Sequence, residues 1–299
     1  MGVMESTVDE ARQRAREYFD AADFGLCLQA AQDGLSVASD DVELLVFAGR
    51  AGVEVDADDA VEHLRRATEV ASGDANTWHY LGEALAAEGS NEAAEEAFRR
   101  AVALEPEDQI ALTHLGHTSV ASGRREEGLG YLARAADLTH GASTAVISLV
   151  DMYRSFGQFE EALAQAQRLV DAAPDDPLAW FDVADLSLAL DRLDEAERAF
   201  ERLRELDDVP GHEAFPLYGM IQVEGRRERW DRARQLAAQV AAIDPVGLST
   251  DLMAFVQEHV GEATDQAAPS LSEIEAALGS SLATYRLMLA DDAASAGAI

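Results

Sequence analysis

The chain contains no lysine, so all 23 of its Lys-plus-Arg cations are arginine. That absence closes several chemistries at once. A P-loop needs a lysine at the β/γ-phosphates, a protein kinase needs one on its third strand, and Schiff-base catalysis needs a lysine amine. Cysteine is almost as scarce. Cys27 stands alone, which excludes an internal disulfide and denies a structural zinc its pair of thiolates. It falls where neighbouring segments carry a small packing residue, and a buried, inert thiol is expected there. No apolar run reaches the ~18 residues a membrane helix needs, and the opening residues lack a basic segment followed by an apolar stretch. A cytoplasmic location without membrane contact is the expectation.

Positive charge is in deficit as well. With 57 acidic residues against 23 basic ones, the formal charge is −34. Nucleic-acid binding requires a cationic footprint that releases counterions, and anionic lipid surfaces would repel such a chain. The catalytic signatures H-E-x-x-H, G-x-S-x-G, G-x-G-x-x-G after a strand and the EF-hand loop are all missing. Carboxylates are spread over helix faces, where Glu95 and Glu96 beside Arg99 and Arg100 form i, i+4 pairs. A non-catalytic protein with no cofactor is expected.

What the sequence does have is apolar content of 48%, enough for a core, and strong internal repetition. In "WHYLGEALAAEG" and the following "NEAAEEAFRRAVALEPED", Trp78, Leu81, Gly82 and Leu85 are succeeded by Ala94, Phe98, Ala101 and Pro106. The next copy, at a period of about 34 residues, places Leu112, Leu115 and Gly116, then Gly128, Leu132 and Ala135. Leu149, Tyr153, Ala162, Ala166, Leu169 and Pro174 make another, and Trp180, Val183, Ala184, Ala196, Phe200 and Leu203 one more. Towards the N-terminus lie Leu44, Phe47, Ala48, Ala60, Leu64 and Ala67, preceded by a weaker copy with Ala15, Tyr18, Cys27, Ala31 and Gly34. Beyond an apparent insertion at 211–213, Leu217, Met220, Ala233, Ala237, Val240 and Pro245 complete a seventh.

Each copy carries an apolar stripe of 3.6 period on two helices, which a single helical pair cannot bury. Stacking of successive pairs must bury it. Ala94 and Ala101 permit close approach, Phe98 fills the space between helices, and Gly82 is read as a packing position. Gly89, Gly123, Gly157 and Asp191 recur where a helix must end in a left-handed residue.

This pattern resembles the tetratricopeptide repeat family over about residues 8–247. The resemblance implies an all-α fold, a right-handed superhelical solenoid of antiparallel helix pairs, with a concave groove lined by the first helix of each pair. The repeats are expected at 8–40, 41–74, 75–108, 109–142, 143–176, 177–210 and 214–247. A capping helix is expected at 248–261, a linker at 262–270, an amphipathic helix at 271–290 and a disordered tail at 291–299. The apolar face of that last helix, built on Ile274, Leu278, Leu282, Tyr285 and Leu289, would fold back in cis, bind a partner, or dock on a second copy and so build a homo-oligomer.

By the family's register the groove residues are His79, Tyr80, Glu83, His114, His117, Asp151, Arg154, Phe181, Asp182, Asp185 and Tyr218. The Lys, Asn, Lys and Arg clamp that holds chaperone C-terminal carboxylates has no counterpart here, since His79, Glu83, His114, Thr144 and Ser148 occupy the matching positions. Asp151, Asp182 and Asp185, opposed by Arg154 and Arg226, should make the middle and later groove negative. A protein partner with a basic segment and apolar anchors is therefore expected, the protein serving as scaffold or adaptor. His79, Glu83, His114 and His117 could converge on a zinc-like ion or a small peptide. Groove histidines in such arrays are more often peptide contacts or surface residues, so no resident metal is expected.

Overall fold

The computed structural model describes residues 2–138, 144–206 and 214–243. Within them the chain is all helical, and no strand occurs among the described residues. The helices run α1 (Gly2–Asp20), α2 (Phe24–Leu35), α3 (Val42–Glu54), α4 (Ala60–Val70), α5 (Ala75–Ala87), α6 (Asn91–Leu104), α7 (Gln109–Ala121) and α8 (Arg125–Asp137). They continue as α9 (Thr144–Ser155), α10 (Phe159–Ala172), α11 (Pro177–Ala189), α12 (Leu193–Leu206), α13 (Phe215–Arg226) and α14 (Trp230–Ile243). These are seven consecutive pairs, each joined by a short turn. The chain divides into two compact units, Met1–Thr139 and His140–Ile299. The capping helix, linker, last helix and tail expected after residue 247, and the insertion at 211–213, lie outside the described residues.

Both ends of the first helix in a pair are set by local chemistry. Aspartate opens four of them: the side chains of Asp41, Asp74, Asp108 and Asp176 accept from the amides of Leu44, Asn76, Ile110 and Leu178 at 2.9–3.0 Å. Such caps satisfy amides that the helix itself leaves without acceptors. At the far end all seven first helices close in the same way. Ala22, Asp56, Gly89, Gly123, Gly157, Asp191 and Glu228 all take positive φ. In each case the next amide donates back five residues, as Ser90 does to the Leu85 carbonyl and Arg229 to that of Glu224 (2.8 and 2.9 Å). This is the six-to-one hydrogen bond of the Schellman motif. Four of the seven are expected from the sequence; of the other three, Asp56 is an aspartate like Asp191, whereas Ala22 and Glu228 adopt the same backbone without a residue type that favours it.

Within each unit the core lies between helices of a pair and between neighbouring pairs. Ala94, Ala101 and Phe98 on α6 are all 0% exposed. A Cβ at Gly82 would sit 2.7 Å from the Phe98 ring, so the missing side chain is what admits that ring. Gly116 admits Leu132 and Gly49 admits Leu64 at 2.6 and 2.3 Å by the same measure. Trp78 and Trp180 reach back from their helices to donate to the carbonyls of Ser72 and Pro174 (3.0 and 2.8 Å), tying each pair to the end of the one before. In the first unit α1 touches α3, α3 touches α5 and α5 touches α7, whereas no two even-numbered helices touch among the described residues. The odd helices therefore line the inner side of that unit.

Cys27 is 0% exposed, among Ala11, Ala15, Ala31 and Ala48. Burial pushes its thiol up to about 11, with Arg50 opposing. The burial expected of this thiol from its register is what the packing produces.

Candidate functional site

The inner side of the first unit brings together more chemistry than any other described part of the chain. On α5, His79 and Glu83 stand one turn apart, with His79 Nε2 3.3 Å from Glu83 Oε1. From α7, His114 Nε2 approaches the same oxygen at 3.6 Å. Aromatic rings hold the imidazoles in place. Phe98 stacks on His114 with centroids 5.2 Å apart and planes 14° from parallel, and meets His79 edge-on at 5.6 Å. The two imidazoles are themselves edge-to-face at 5.2 Å.

His79 is 8% exposed, buried rather than presented to the groove as the register had suggested, and its Nδ1 has no hydrogen-bond partner. Glu83 and His114 are half-buried at its mouth. His117 is half-buried on α7 but stands outside the cluster of three. The hydrogen bond from His79 holds the Glu83 carboxyl below its usual range against the opposing effect of burial, helped by the charges of His114 and Arg50. Burial, then repulsion from His79, lowers His114, with Glu83 pulling the other way.

Glu83 also borders a cavity of about 330 Å³ lined by Phe19, Arg50, Val53, Glu54, Leu64, Tyr80 and Ala84. Within it the Arg50 guanidinium lies between two rings, 4.3 Å from the centroid of Phe19 and 4.2 Å from that of Tyr80. Such placement is a double cation–π contact. Tyr80, expected at the groove, lines this cavity. Phe19, Arg50 and Glu54 were not anticipated. Arg50 follows Gly49 as Glu83 follows Gly82 and His117 follows Gly116, so the repeat register alone could have found it.

In the second unit the expected residues separate into two groups. Arg154 on α9 bridges to Asp182 at 2.7 Å and also to Asp185, both on α11. Asp182 is 1% exposed, so it is the buried partner of an ion pair. Arg226 on α13 donates to the Leu188 carbonyl at 2.5 Å and lies 3.6 Å from Asp191. Asp151 and Asp185 remain half-buried. Phe181 and Tyr218, expected as anchors, are 1% and 4% exposed. Both are buried, Phe181 on α11 and Tyr218 on α13, instead of standing exposed as anchors.

Among comparisons with known proteins, family models described as tetratricopeptide repeat match residues 75–118, 113–177 and 147–212. The chain carries tetratricopeptide repeats. Solved structures share the fold. The C-terminal part of a repeat-containing protein from Cytophaga hutchinsonii is similar at TM-score 0.69 and 14% identity, covering 81% of this chain and 98% of that one. PilF of Pseudomonas aeruginosa is similar at TM-score 0.55 and 15% identity, over 70% of this chain and 94% of its own. YrrB, a tetratricopeptide repeat protein with an unusual peptide-binding site, is similar at TM-score 0.53 and 20% identity, over 67% of this chain and 100% of its own. No curated protein matches the chain. In this chain the first helices carry the cluster and most of the cavity lining, while the second helices supply Phe98 and Leu64.

Proposed function

We propose that the protein is a non-catalytic interaction scaffold that binds a basic segment of a protein partner on the inner side of its first unit. The observation that carries this reading is the cavity between α1, α3 and α5. Ring faces of Phe19 and Tyr80 and the carboxylates of Glu54 and Glu83 suit a cationic side chain with an aliphatic stem. The charge of −34 supports the same choice, because complementary charge accelerates encounter and rejects acidic competitors. The peptide-binding site of YrrB gives the fold a precedent for such a role.

Selection from a random peptide display library against the immobilised chain tests the proposal. Enriched sequences should carry arginine or lysine beside an apolar residue, and should bind Glu54→Arg and Tyr80→Ala variants at least about tenfold more weakly, a 1.4 kcal/mol effect. Binding should also fall as salt rises and screens the charges. Enrichment of acidic or uncharged peptides, or undiminished binding to both variants, would overturn it.

A further inference from the structure

We infer that His79, Glu83 and His114 form a binding site for a divalent transition ion of the zinc class. One ligand atom from each residue can be chosen so that all three lie within 4.8 Å of one another, and no other such group of His, Cys, Asp or Glu occurs among the described residues. Two of the edges of that triangle are 3.3 and 3.6 Å. A tetrahedral ion with bonds of about 2.0–2.1 Å spaces its ligands roughly 3.3–3.4 Å apart, so these two edges need little movement to receive one. Two imidazoles with one carboxylate is a donor set suited to zinc, nickel or copper rather than to magnesium or calcium, which take oxygen ligands.

The site is also built from behind. Phe98, 0% exposed, fixes the plane of His114 by stacking and blocks His79 at its edge, so neither imidazole needs a large rotation. The two helices that supply the ligands pack directly on each other. A fourth position stays open for water or for a partner's side chain. His79 Nδ1 has no acceptor for the proton it would carry once Nε2 is bound to metal. Metal sites ordinarily hold that proton in a hydrogen bond, and its lack weakens binding roughly 10–100-fold.

The test uses the full chain without an affinity tag, stripped of metal and titrated with zinc chloride against a chromogenic chelator, then with cobalt(II) alone. One equivalent of zinc should bind, and cobalt should develop the intense visible absorption of a four-coordinate ion. His114→Ala and Glu83→Gln should each weaken zinc by more than the roughly 10–100-fold that loss of a supporting contact costs. His63→Ala is the control, because His63 and Asp59 are likewise four residues apart, at 3.2 Å, without a third ligand. It should bind as the parent does. His114 is half-buried, and far-UV circular dichroism of its variant establishes that the helices persist. Less than one equivalent in the parent chain, binding that survives both substitutions, or the pale spectrum of six-coordinate cobalt would each overturn the assignment. The titration uses metal alone, so its outcome does not depend on the peptide reading.

Discussion

At Gly82 the Phe98 ring occupies the space a methyl group would need, while at Gly130, in the middle of α8, nothing lies within 4 Å of the position a Cβ would take. The same chemical change should therefore have opposite signs at the two sites. Gly82→Ala is expected to destabilise by about 1–3 kcal/mol through overpacking. Gly130→Ala should stabilise by roughly 0.5–1 kcal/mol, because alanine loses less backbone entropy in a helix. Denaturant midpoints of the two variants check both signs. The His114 imidazole offers a test in pH. Its proton affinity is lowered in the folded state by burial, so on acidification the unfolded chain takes up the proton first. The stability it contributes is complete above the unfolded value of about 6.5 and is lost as pH falls through the lower folded value. Glu83 adds a second loss further down, complete above roughly 4.3 and lost as pH falls through its depressed folded value. Unfolding midpoints measured across the acid range should show the first slope in the parent and a flatter one in His114→Gln.

At the scale of the helix, the seven left-handed closures differ only in the residue that adopts them. Asp56 and Glu228 take φ of 57° at places where Gly89, Gly123 and Gly157 bear no side chain. Glu228→Gly should relieve about 1 kcal/mol of backbone strain, and Gly89→Ala should introduce as much. Caps give a matched contrast. Asp108 accepts two amides at the start of α7, whereas Ser90 makes no side-chain bond at the start of α6. Asp108→Ala should cost about 1 kcal/mol and Ser90→Ala little. These periodic features were legible because a 3.6-residue stripe and a recurring glycine are written into the chain itself. Depth was not: His79 is buried with Phe98 of the next helix edge-on to it, and Phe181 and Tyr218 are buried where the register predicts exposed anchors. No stretch of one helix encodes the height of its neighbour. The pairing of Arg50 with Phe19 and Tyr80 joins three separate repeats and was invisible for that reason.

At the scale of the molecule, stacked repeats contact only their neighbours, so stability accumulates locally instead of from one central core. The first unit contains α1 to α8 with their own buried layer. A fragment of residues 1–138 is expected to keep its helical circular dichroism and to unfold cooperatively, with a smaller denaturant slope in proportion to the surface it buries. Cys27 supplies an internal reporter. A thiol reagent should react with the folded chain only at the rate at which α1, α2 and α3 open, and fully on unfolding.

The guanidinium held between Phe19 and Tyr80 makes the inner cavity a place with a resident. On the proposed reading, an arriving cationic side chain would compete with Arg50 for the two ring faces, so recognition there would be an exchange whose threshold the protein sets with one of its own side chains. Segments that present a single weak cation would be turned away by this internal competitor, and only those bringing further contacts would displace it.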